Sequence, residues 1–249
     1  MLVMTLRADD EACSSGVEVF HGVGQTWSRA AVTGLAGVES ASRGHPTFTT
    51  IAGGAPARAR QPVPNHVDLA RATLAVSDLL DALGLDRSDE SLTDTPARVA
   101  RTYAELLNAE PFTVTTFPND EGYDELVVVS DIAFSSLCEH HLLPFTGVAH
   151  VSYLPGARLV GLSKLARAVT HFSRRLQVQE RLTKQVADWL VATLQPRGVG
   201  VVIEAEHACM SVRGVRASGS RTRTSALAGR VRDDASTRSE FFSLIGGQR

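Results

Sequence analysis

The chain is poor in lysine, cysteine and tryptophan, and it has no long apolar run. Of 25 basic residues only Lys164 and Lys184 are lysines, and the 249 residues include 3 cysteines and 2 tryptophans. Cys13, Cys138 and Cys209 are too few for a disulfide framework in a chain of this size. A reducing, cytoplasmic setting is expected, where cysteines more often serve metals or catalysis. No apolar stretch approaches the roughly 18 residues of a membrane helix. The opening Met1 to Leu6 runs straight into Arg7, Asp9, Asp10 and Glu11, too short for a signal h-region. Charge of one sign is also missing: the net is −2, so the chain as a whole has no bias toward polyanions, and neither membrane nor nucleic acid is an expected partner. No internal repeat is present, which excludes solenoids.

What is present is ordinary for a globular domain, with 43% apolar residues and 20 glycines. Residues 1–65 are rich in Gly, Ala, Ser and Thr without a sustained period. They end in a linker-like stretch, Ala55-Pro56-Ala57-Arg58-Ala59-Arg60-Gln61-Pro62-Val63-Pro64. This segment is expected to be a disordered extension, and residues 66–249 the folded domain. Within it, 66–110 reads as helical. His66 to Leu85 carries leucines at helical intervals and closes at Gly84, and a second helix opens at Asp94-Thr95-Pro96. From 125 onward strands and helices alternate. Strands are expected at 125–134, 146–153, 198–204 and 208–215, with helices at 163–174, 180–194 and 236–245. The order argues for an α+β fold with an antiparallel sheet and helices on one face.

The chemistry-bearing residues fall in a few places. Cys138-Glu139-His140-His141 follows the first strand, and a Cys and a His three apart on a turn can both reach one zinc ion. His207-Ala208-Cys209 lies at an expected strand start, where alternation puts His207 and Cys209 on one side. Two cysteines and one histidine leave a fourth zinc position open for water, the pattern of a catalytic site, with His140 and His207 flanking it as proton donors or acceptors. The competing reading makes Cys138 and Cys209 small buried hydrophobes. Glu180, in the first turn of a helix, suits the helix dipole, or else accepts two N–H donors from a guanine edge. Ser163-Lys164-Leu165-Ala166-Arg167 opens a helix and offers a hydroxyl, free N–H groups and two cations to phosphate oxygens. The last 39 residues carry 8 basic and 3 acidic side chains, Arg213 among them, which favours an anionic ligand.

Four motifs together resemble GTP cyclohydrolase I: Cys-Glu-His-His-Leu-Leu-Pro-Phe at 138–145, Gly-Leu-Ser-Lys-Leu-Ala-Arg at 161–167, Gln-Val-Gln-Glu-Arg-Leu-Thr at 177–183, and His-Ala-Cys-Met with Arg-Gly-Val within 207–215. The resemblance implies the tunnelling (T-) fold, assembly as a decamer of two face-to-face pentamers, and conversion of GTP and water to 7,8-dihydroneopterin triphosphate and formate. It implies one Zn2+ per subunit on Cys138, His141 and Cys209, activating a water for attack at C8 of the purine. His140 and His207 are then the proton-transfer residues, and Ser163 assists the ribose rearrangement. Glu180, helped by Gln179, grips the guanine edge, while Lys164, Arg167 and Arg213 hold the triphosphate, with Arg98 arriving from a neighbouring subunit. A nitrile reductase of queuosine synthesis, a T-fold relative, uses a cysteine nucleophile without a zinc triad, which Cys-Glu-His-His argues against. A non-catalytic paralogue binding zinc and guanine nucleotide would lack a ligand or a proton-transfer histidine, and none is missing. One departure from the family pattern is Arg230, where an apolar residue is usual.

Overall fold

The computed structural model describes residues 19–23, 26–30 and 67–246. Two units follow one another along the chain, residues 1–59 and 60–249. In the first, β1 (Val19–Val23) and β2 (Thr26–Ala30) pair as an antiparallel hairpin. The rest of the expected disordered extension lies outside the described residues.

The second unit opens with helix α1 (Leu69–Ala82), which starts later than the periodicity suggests because Asp68 is its cap. The Asp68 carboxylate accepts the Arg71 N–H at 3.0 Å, and Gly84, at φ +74°, closes the far end in the left-handed region. Helix α2 (Thr95–Leu106) has Pro96 in its first turn as expected. Asp94 does not cap it through its side chain; the carboxylate faces Arg98 one turn on, at 3.7 Å. There follow β3 (Thr116–Pro118), β4 (Val127–Cys138), β5 (Pro144–Leu154), β6 (Arg158–Val160), α3 (Leu162–Ser173), β7 (Leu176–Gln177), α4 (Gln179–Leu194), β8 (Gly198–His207), α5 (Ala208–Ser211), β9 (Thr222–Gly229), α6 (Arg230–Asp233) and α7 (Ala235–Gly246).

The main sheet has the order β7-β4-β5-β8-β9 and is antiparallel except for the short β7, which lies parallel to β4. The α+β class therefore holds. Strand β4 outruns its expected end because Ser135 and Ser136 break the apolar pattern without breaking the ladder, which continues to Leu137 opposite Pro144. A bulge between Val129 and Ile132 sets Asp131 at φ 55°, and its N–H is donated to His150 Nδ1 at 3.2 Å. Gly147 is fixed by close approach of the next strand, since a Cβ there would sit 1.9 Å from the Glu204 backbone oxygen.

Helices α3 and α4 cover one face. Leu165, Val169, Leu182, Val186 and Leu190 pack there with Val199, Val201 and Ile203 of β8 and Val151 and Tyr153 of β5, all fully or almost fully buried. Each such leucine contributes about 1.5–3 kcal/mol by its transfer from water. Not all helices share that face. A Cβ on Gly200 would lie 2.8 Å from the Phe241 ring, and Phe241 clusters with Val202 and Val231, so α7 covers the side of β8 opposite α4. The uncharacteristic Arg230 is exposed at the start of α6, while the adjacent Val231 carries the packing.

The strand expected over 208–215 is not formed. Strand β8 runs on to His207, and the chain turns at once into α5; the fifth strand is β9 instead. Positive φ values at Gly214 (58°), Arg216 (51°) and Gly219 (78°) are incompatible with a continuous strand there.

Candidate metal centre and nucleotide groove

Strand β4 delivers Cys138 to the mouth of the β4–β5 turn. The turn is tight: Cys138 N–H is donated to Leu143 O at 2.9 Å, and the N–H groups of His141 and Leu142 both reach Cys138 O, at 3.4 and 2.9 Å. Leu142 takes φ 56° to close it. From α2, the Tyr103 hydroxyl donates to Leu142 O at 3.0 Å and ties the N-terminal helices to this turn. The geometry sets His140 Nδ1 3.8 Å and His141 Nδ1 3.9 Å from Cys138 Sγ.

Cys209 arrives from the first turn of α5, not from a strand as alternation had suggested. The turn into α5, two residues past His207, brings its sulfur to the other two, and the ligand atoms of Cys138, His141 and Cys209 all lie within 4.8 Å of one another. Burial pushes the Cys209 thiol up, the nearby Cys138 adds to this, and Arg213 opposes it. Arg213 itself reaches His141 Nε2 at 3.3 Å, so it stands beside the triad.

Two further residues hold the site from helix α4. Arg181 makes a two-pronged ion pair with Glu139, at 2.7 and 2.9 Å, and Glu139 N–H is donated to Gln177 O at 3.0 Å. Gln179, expected to help grip a purine, is 1% exposed and turned inward. Its NH2 group faces Ile203 O and Thr222 O, both at 3.0 Å, and Thr224 Oγ1 at 3.1 Å, while its oxygen lies 2.8 Å from His207 Nε2. No N–H of this side chain is left for a ligand. His207 also stacks flat on Phe145, with ring centroids 4.6 Å apart and planes within 1°. Burial holds the His207 pKa below the ordinary imidazole value, against the pull of Glu180. His140, by contrast, is at the rim with its side chain 64% exposed, 3.9 Å from a Glu139 oxygen.

Glu180 opens outward onto a groove of about 520 Å³ between α4 and β9, lined also by Lys184, Thr224, Leu227 and Arg232. Lys184 is engaged with Asp188 at 2.8 and 2.9 Å. The basic residues of α3 lie elsewhere. Ser163 and Arg167 are exposed and Lys164 half-buried near the start of that helix. Arg167 lines a separate cavity of about 550 Å³ with Glu105, Thr170, His171 and Arg174. Arg98 stays on the outer face of α2, donating to Ser91 O at 3.2 Å and Thr95 Oγ1 at 3.0 Å. One chain thus gathers Cys138, His141, Cys209, His140, His207, Gln179 and Arg213, places Glu180 on the neighbouring turn, and leaves Arg98 and Arg167 on other surfaces. Glu139, Arg181, Tyr103 and Phe145 support the site and had no signal in spacing, because each meets it through a contact distant in sequence.

The family model for GTP cyclohydrolase I matches residues 72–246. Proteins named GTP cyclohydrolase 1 are similar over 72% of this chain: that of Mycobacteroides abscessus at 54% identity, covering 91% of that protein, and that of Streptomyces coelicolor at 55%, covering 90%. The Corynebacterium glutamicum protein of the same name is 52% identical, with 94% of its length covered. Among solved structures, the archaeosine synthase QueF-Like in the apo form gives a TM-score of 0.36 at 17% identity, over 42% of this chain and 94% of that one.

Proposed function

The chain belongs to the GTP cyclohydrolase I family, and from that premise we propose how its own residues carry the reaction. The enzyme converts GTP and water to 7,8-dihydroneopterin triphosphate with release of formate, the first step of tetrahydrofolate and pterin biosynthesis. The observation that carries the assignment of roles is the convergence of Cys138, His141 and Cys209 from the β4–β5 turn and the first turn of α5.

These three fit zinc. Tetrahedral zinc with bonds of about 2.0–2.3 Å needs ligand atoms roughly 3.3–3.8 Å apart. The Cys138–His141 pair is at 3.9 Å and the whole group within 4.8 Å, so small side-chain adjustments suffice. Sulfur and imidazole donors select zinc over magnesium or calcium, and three of them leave one position open, as catalytic sites do. One zinc per subunit supplies Lewis-acid activation of water at neutral pH.

His207, kept neutral by burial, takes up and returns protons beside the reacting imidazole ring, and His140 at the rim does so from the solvent side. Glu180, facing the groove, accepts two N–H bonds from the guanine edge, a pattern that only a double acceptor offers. Lys164, Arg167 and Arg213 hold the triphosphate, and Ser163 assists the ribose rearrangement. Arg98 acts on a neighbour's substrate. Glu180 and Arg167 open onto different cavities of one chain, which supports a site completed between copies. Among the described residues β9 is the last strand of the sheet and pairs with β8 alone, which supports the same reading. The T-fold and a decamer of two pentamers are what membership of the family implies, and we assign them on that ground. Among the described residues no helix is long and apolar enough to cross a membrane, and we place the enzyme in the cytoplasm.

The test is GTP turnover with metal analysis on one sample, following formate, the fluorescence of the oxidised pterin, and zinc per subunit. Formate with about one zinc per chain, both lost in Cys209→Ser, is the expected result. Zinc and GTP bound without formate would show a non-catalytic paralogue, and a folded wild-type protein without zinc would overturn the metal assignment.

A further inference from the structure

We infer that Gln179 is a positioning residue that fixes the plane and tautomer of His207; this rests on the proton-transfer role given to His207 above. The orientation of the Gln179 amide follows from its surroundings. Ile203 O and Thr222 O are backbone carbonyls and only accept, so the NH2 group must face them. Its third neighbour, Thr224 Oγ1, is bonded in turn to Thr183 Oγ1 at 2.6 Å, and Thr183 Oγ1 donates to Gln179 O at 2.8 Å, which locks the first turn of α4 against β9.

With the amide so held, its oxygen is the atom presented to His207 Nε2 at 2.8 Å. An acceptor at that point requires the proton on Nε2 and leaves the lone pair on Nδ1. The flat stack on Phe145 opposes tilting of the His207 ring about the axis of that bond, which removes a second freedom. His207 is therefore presented as one tautomer in one plane, with Nδ1 the nitrogen able to take a proton. Gln179 differs in this from Glu180, its neighbour in sequence, which faces the groove.

The experiment compares Gln179→Met, which removes both donors and the acceptor, with Gln179→Glu, which keeps an acceptor opposite His207 but loses the donors to the carbonyls. Gln179→Met should lower kcat roughly 10- to 100-fold, the scale of a misplaced catalytic group, with KM for GTP and zinc content close to wild type. Gln179→Glu should recover most of that loss in kcat while being thermally no more stable than Gln179→Met. A purely structural role would make kcat follow thermal stability in both variants, and a purine contact would raise KM with kcat intact; either result overturns the inference. A readout independent of variant folding is the 15N spectrum of histidine-labelled wild-type protein, with the His207 signals identified by their loss in His207→Asn. Protonated Nε2 and bare Nδ1 are expected, and the opposite tautomer refutes the inference. Wild-type protein without formate release would instead count against the proposed function, leaving the tautomer measurement to decide the role of Gln179 alone.

Discussion

Replacing Arg181 by methionine tests whether the ion pair with Glu139 holds the metal turn or merely the fold. Methionine keeps most of the aliphatic stem and removes two charge-assisted hydrogen bonds, at 2.7 and 2.9 Å. The Glu139 side chain is only 15% exposed, which strengthens the pair, but Arg181 is 36% exposed and solvent screens it. Each bond to a charged group contributes about 1.5–3 kcal/mol when sheltered, and discounting for that exposure leaves about 1–2 kcal/mol for the pair. Glu139 stands between Cys138 and the two histidines, so the loss falls on the segment that carries two of the three proposed zinc ligands. If all of it is felt there, zinc affinity drops about 5- to 30-fold. It should drop no further, because Cys138 N–H to Leu143 O, Glu139 N–H to Gln177 O and the Tyr103 hydroxyl on Leu142 O still brace the turn. Competition with a chromophoric chelator gives the zinc Kd, and thermal unfolding of the metal-free protein separates site from fold. A Kd within twofold of wild type, with a lowered Tm of the metal-free chain, would refute the reasoning.

Two other outcomes follow from single groups. Glu180→Gln loses one acceptor and presents a donor to the donors of guanine, so kcat/KM for GTP should fall roughly 10- to 100-fold at unchanged zinc content; a change in thermal stability alone would return Glu180 to the role of a helix-dipole carboxylate. Tyr153 is 1% exposed and accepts the Val160 N–H at 3.2 Å, and burial pushes its phenol above the ordinary value of 10.0. The unfolded chain therefore releases this proton first, and stability falls as pH rises above about 10. Tyr153→Phe should flatten that alkaline limb in urea titrations while costing about 1–2 kcal/mol at pH 7, where Val160 N–H loses its acceptor; an unchanged limb would locate the alkaline sensitivity in another group.

Local signals were legible where one element decides the outcome alone. Gly84 closes α1, Pro96 opens α2, and the Leu182, Val186 and Leu190 stripe fixes the buried face of α4, all from short-range chemistry. Cys138 and His141 were legible for the same reason, since a four-residue turn brings them together whatever the rest of the chain does. Cys209 was found by a faulty route. Strand alternation from His207 pointed to the residue whose sulfur does lie beside Cys138 and His141, but the chain leaves the sheet at Ala208, and the turn into α5 is what carries the sulfur there. The hydrophobic pattern of Ala208 to Val215 resembles a strand because Met210, Val212 and Val215 are apolar, yet all three are exposed. Periodicity reports what is apolar, and burial depends on which surface arrives opposite.

The supporting contacts escape sequence reading because they join segments whose separation carries no pattern. Arg181 and Glu139 are 42 residues apart, and Gln179 and His207 are 28 apart. What relates them is the first turn of α4, where successive side chains diverge by about 100° around the helix axis. Gln179 is directed inward to the end of β8, Glu180 outward to the groove, and Arg181 across to the β4–β5 turn. One ligand of the triad follows β8, and the other two lie on that turn. A single helical turn thus keys both halves of the candidate metal centre to each other and to the carboxylate facing the groove between α4 and β9. On the roles proposed above its three residues act differently: a change at Glu180 bears on substrate alone, one at Arg181 on the metal, and one at Gln179 on the proton path. Substitutions along three consecutive positions should therefore separate KM, zinc affinity and kcat, a division that a helix serving only to pack the sheet would not produce.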